Sequence, residues 1–93
     1  MPRFLVKLGS KYVEWSTVVD APVTYGMTLE ELTSYIAQQY GADGVAILPE
    51  RLERLAATGT SSYNDTAESV IKGNRAGPGE TELSMEQLIK QYC

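Results

Sequence analysis

Two alternating segments separated only by Gly9 and Ser10 constrain this chain more than any other feature. Arg3 to Leu8 sets Phe4, Val6 and Leu8 on one side of a strand, and Tyr12 to Val19 sets Val13, Trp15, Thr17 and Val19 on one side of another. Glycine at the first central position of a two-residue turn accepts positive φ without a Cβ clash, which suits a type II′ hairpin. That turn predicts a register in which Leu8 faces Lys11, Val6 faces Val13 and Phe4 faces Trp15, so that the valine pair and the aromatic pair fall on the side expected to be buried. The outer side then carries Leu5 opposite Glu14 and Lys7 opposite Tyr12.

After a loop over 20–26, Met27-Thr28-Leu29-Glu30-Glu31-Leu32 carries two helix-starting devices at once. Thr28 and Glu31 form a capping box, and Met27 can staple to Leu32. Leu29, Leu32, Ile36 and Tyr40 share one stripe, which predicts a helix over 29–40 lying on the Phe4/Trp15 side and ending at Gly41. Gly44 to Leu48 is apolar, contains Val45 and Ile47, and is read as a third short strand before a helix that opens at Pro49 and stops near Gly59. The fold class expected is α+β, a small sheet in the order ββαβ followed by short C-terminal helices. Over Arg3 to Leu48 this order resembles the first half of a ubiquitin-like β-grasp domain. The resemblance implies a helix across one face of the sheet and a binding role. The terminal Gln91-Tyr92-Cys93 stands where conjugating relatives carry diglycine, so no modifier role is carried over.

Tyr63, Ala67, Val70 and Ile71 recur at helical spacing up to Gly73. Residues 73–82 contain three glycines and a proline, and read as a flexible tether. Beyond it Ser84 and Gln87 form a second capping box, and Met85, Leu88, Ile89 and Tyr92 share one helical face. A helix of about two turns is unstable alone and needs a surface to lie on. The expected organisation is a compact α/β domain over 1–72, a linker over 73–82 and an amphipathic helix over 83–93.

Composition narrows the chemistry. The 93 residues contain no histidine and one cysteine, Cys93. The usual imidazole base and the common zinc ligand sets are therefore missing, and no internal disulfide is possible. No phosphate-cradling glycine motif occurs. The carboxylate pairs Glu30/Glu31 and Glu50/Glu53 fall on helix sides away from the apolar stripes, as solvated surface charges do. Neither an enzyme nor a cofactor is expected. The net charge of −4 is unevenly spread, +1 over 1–28 and −5 over 29–93. Without a Lys/Arg cluster, direct nucleic-acid binding is not expected; an acidic face that imitates nucleic acid is the converse reading. No segment approaches the length of an apolar membrane span or a signal peptide, so a soluble, cytoplasmic protein is expected.

What remains is recognition. The chain is expected to be a small acidic protein-binding module, an inhibitor or adaptor acting by stoichiometric binding to another protein. The alternative is a self-associating structural or assembly subunit, with an enzyme or small-molecule binder ranked below both. The candidate interface combines the outer hairpin face, Leu5, Tyr12 and Val18, with Met85, Leu88, Ile89 and Tyr92 of the last helix.

Overall fold

The computed structural model describes residues 3–62 and 65–93. Strands β1 (Arg3–Leu8) and β2 (Lys11–Ser16) pair antiparallel in the register the turn dictates, from Arg3 opposite Ser16 to Leu8 opposite Lys11. Gly9 takes φ +62, the conformation glycine was required for. A third strand, β3 (Ala21–Pro22), lies antiparallel on β2. It falls in the stretch read as a loop, and proline is tolerated there because β3 is an edge strand. The other edge, along β1, is closed by residues 59–61: Lys7 N donates to Gly59 O at 2.8 Å and Ser61 N to Leu5 O at 2.9 Å.

Helix α1 (Leu29–Thr58) begins at the Thr28/Glu31 capping box and is interrupted once, at Gly41 with φ 72 and ψ −159. That backbone conformation is essentially confined to glycine. The third strand expected at Gly44–Leu48 does not form, and with it the ββαβ order and the β-grasp likeness fall away. Once Gly41 has turned the chain, a second helical segment starts at once, and Gly44, Leu48 and Leu55 become its buried stripe. Pro49, expected to open a helix, sits inside this one. It removes the N–H that would reach the carbonyl of Val45, a residue at the surface where water can take that acceptor.

Helix α2 (Ala67–Ile71) and helix α3 (Met85–Tyr92) follow. Tyr63, named with the first of these, lies outside the described residues. Both helices carry capping boxes, Thr66 with Ser69 and Ser84 with Gln87. Segment 73–82, read as a flexible tether, carries a dense set of hydrogen bonds. The buried Asn74 donates from Nδ2 to the carbonyls of Ile71 and Leu83, both at 2.7 Å, and its Oδ1 accepts from Leu83 N at 2.9 Å and Ala76 N at 3.2 Å. One amide side chain thus ties the end of α2 to the approach to α3, and Arg75 ties the same loop to Asp20 at 3.2 Å.

The sheet is covered on both sides, and the layers are the reverse of the expected ones. The Val6/Leu8/Val13/Trp15 face packs against Ile71, Leu83 and Leu88 from α2, the loop and α3. The Leu5 face packs against Leu32, Ile36, Leu48 and Leu55 of α1. Leu29, placed on the core stripe by periodicity, is exposed. Among the described residues no helix is long and apolar enough to cross a membrane.

Candidate functional site

The expected interface residues are distributed very differently from one another. Leu5 and Leu88 are 0% exposed, one under α1 and the other against the Trp15 face. Tyr12 is half-buried against the α1 cluster, and Met85, Ile89 and Tyr92 are half-buried against the α3 side. The premise that the Leu5 face stands free is therefore corrected, because α1 occupies it while α2 and α3 take the Trp15 face. Val18, 67% exposed, does stand free.

Val18 belongs to a run of exposed apolar side chains along the β3 edge. Val19 and Val23, on either side of β3, are also exposed, and Tyr25 is 75% exposed. Val23 N donates to Glu14 O at 2.8 Å and Met27 N to Tyr12 O at 2.8 Å, so residues 21–27 follow the outer border of β2. The Tyr25 ring lies 6.0 Å from that of Tyr92. Gly26 N donates to Tyr92 O, and any Cβ at position 26 would meet the Cys93 sulfur at 2.5 Å, so the end of α3 is seated closely against this border.

A second site lies under α1. Alternation along β2 aims Glu14 at α1, where its carboxylate is 1% exposed. A buried carboxylate must be hydrogen-bonded or it destabilises the fold. Tyr35 Oη donates to Oε1 at 2.7 Å, Tyr40 Oη donates to Oε2, and Arg3 Nη1 approaches Oε1 at 3.4 Å. Burial first, and then the hydrogen bond to Glu14, push both tyrosine hydroxyls above their ordinary range. The two rings come from the first segment of α1. This need for donors explains why α1 covers the Glu14 face and not the more apolar one.

Beside Glu14 opens a cleft of about 710 Å³, bounded by Arg3 and Phe4 of β1, Tyr40, the second segment of α1, and Ser61 with Ser62. Gly44, Ile47, Arg51 and Arg54 are spaced three, four and three residues apart and form one helix stripe along it. Gly44 has to be glycine, since a Cβ there would lie 2.6 Å from the Tyr40 Cβ. Arg54 Nε donates to Ser61 O at 2.8 Å. Arg51 is half-buried, and its guanidinium has no hydrogen bond or ion pair to another described residue. Desolvation pulls its pKa down, opposed by the charge of Glu14.

Sequence reasoning put Glu14 on the polar rim of the outer hairpin face, set Tyr35 beside the first helix stripe and paired Arg54 with Glu50, and it did not bring these residues or Arg51 together as a site. The available signals were a lone carboxylate opposite Leu5 in an alternating strand and two arginines at i, i+3. Comparison with protein-family models, with curated proteins and with solved structures finds no match to this chain.

Proposed function

We propose that this chain is a stoichiometric protein-binding module, an inhibitor or adaptor, whose partner docks on the β3 edge around Val18, Val23 and Tyr25. The observation that carries the reading is the concentration of exposed aliphatic and aromatic side chains along this one border. Protein interfaces centre on aromatic and aliphatic anchors with a polar rim, and tyrosine is among the commonest anchors. Of the residues expected from sequence, Val18 and Tyr92 remain at this border. The edge is blunted against strand addition, because β3 has only two residues and one is Pro22, so side chains and not backbone pairing carry the contact. Binding takes precedence over catalysis in this reading, and the cytoplasm is its expected setting.

The test is Tyr25→Glu together with Val18→Glu. Both side chains are exposed, so the melting temperature should hold. A partner that co-purifies with the parent chain in fixed stoichiometry should be lost, because a charge in a desolvated interface centre is left unpaired. Retention of the partner by a folded double variant contradicts the reading. Self-association through the same border is the second reading, favoured by its apolar character. It requires a light-scattering mass that rises with concentration for the parent chain and stays monomeric for Tyr25→Glu.

A further inference from the structure

The cleft beside Glu14 lies toward the β1 edge, on the other side of the sheet from the β3 border, and its chemistry is different. A concave site of this volume is in the range of small-molecule pockets, not of flat protein interfaces. Three guanidinium groups, Arg3, Arg51 and Arg54, face two carboxylates, Glu14 and Asp43, which leaves the lining positive in a chain whose net charge is −4.

The arginines are not equivalent. Arg3 is engaged with Glu14 and Arg54 with Ser61 O. Arg51 is half-buried without a hydrogen-bonding partner among the described residues, so its fork of donors is partly withdrawn from water with no acceptor from those residues in its place. Around it the lining is mixed: Tyr40 and Ile47 supply apolar wall, while Ser61 and Ser62 supply polar groups. Glu14 is already satisfied by Tyr35, Tyr40 and Arg3, so it holds Tyr40 in place at the wall without claiming Arg51.

We propose that the cleft is a binding site for a small organic carboxylate, whose oxygens take the Arg51 guanidinium and whose hydrocarbon body lies on Ile47 and the Tyr40 ring. A planar carboxylate matches the guanidinium fork in a bidentate pair. The small positive excess of the lining suits a monoanion better than a doubly charged phosphate, which would stand too close to Glu14 and Asp43. The site does not depend on the β3 border and stands or falls separately from it.

The test is titration of the full chain with hexanoate, with inorganic phosphate and with hexylamine, followed by calorimetry and by amide shifts of Gly44, Ser61 and Ser62. Hexanoate should saturate one site and move those amides, phosphate should bind more weakly, and hexylamine should not bind. Arg51→Gln should weaken hexanoate by about tenfold or more through loss of the charged bidentate pair. Ile47→Glu, at an exposed wall position, should do the same by placing a carboxylate in the site, and it provides the reading should Arg51→Gln fail to fold. Absence of saturation by hexanoate, or undiminished affinity in a folded variant, overturns the proposal. Tighter binding of phosphate than of hexanoate overturns the carboxylate assignment.

Discussion

On one face of the hairpin, Val6, Leu8, Val13 and Trp15 meet Ile71, Leu83 and Leu88. On the other, Leu5 meets Leu32, Ile36, Leu48 and Leu55, and a carboxylate is buried beside them. The first contact is non-directional: any helix with an apolar stripe of suitable width lowers its free energy by burying it there. The second is directional, because Glu14 needs donors at hydrogen-bonding distance. Tyr35 and Tyr40 provide them from one helix only. The polar face therefore selects its helix, and the apolar face accepts what remains. Specificity of layer arrangement in this small domain resides in the face that contributes less hydrophobic area.

The largest effect expected from breaking either side of this contrast comes from the apolar one. Trp15→Ala removes a nearly fully buried ring and should cost about 3 to 5 kcal/mol in a denaturant titration. That is much of the stability of a domain this size. Unchanged stability would mean that the Trp15 face is not core.

Next comes the polar side. Tyr40→Phe keeps the ring and removes a donor to a buried charge, and should cost about 1.5 to 3 kcal/mol. In a Glu14→Gln background the same change should cost less, and equal costs in both backgrounds would show that the two groups are not coupled. The pH dependence has a definite sign. Both tyrosines hold their protons more tightly when folded, so their contribution is fully present below the ordinary tyrosine value, about 10, and is lost as pH rises above it. The Tyr35→Phe/Tyr40→Phe pair should flatten that alkaline loss.

The smallest effect belongs to Cys93 at the end of α3. Burial raises its thiol pKa, so a thiol reagent at neutral pH should react with it in the native protein, more slowly than with a free thiol and without unfolding the chain. Complete resistance would place the last turn more deeply than the structure does.

The same contrast separates what could be read in the sequence from what could not. The hairpin register was legible because a glycine turn and strict alternation agree at every pair. The starts of α1 and α3 were legible because capping boxes are local. Gly44–Leu48 was not, since a short apolar run has no period long enough to distinguish strand from helix, and the β-branched Val45 and Ile47 pointed the wrong way. Nor could the layers be assigned, because both hairpin faces carry apolar residues and Glu14 reads as a solvent-facing charge until Tyr35 and Tyr40 are folded over it. Asn74 looked like one more polar residue in a glycine-rich link, whereas its four hydrogen bonds reach residues on both sides of it. The cleft draws on Arg3, Glu14, Arg51 and Ser61, positions that only tertiary packing brings together.

The claim that α1 and α3 lie on opposite faces of the hairpin is most directly tested by nuclear Overhauser contacts from the two strands. Leu5 methyls should show cross-peaks to Ile36 and Leu55, while the Val6 and Val13 methyls and the Trp15 indole should show them to Leu88. Cross-peaks from Trp15 to Ile36, or from Leu5 to Leu88, would contradict the arrangement.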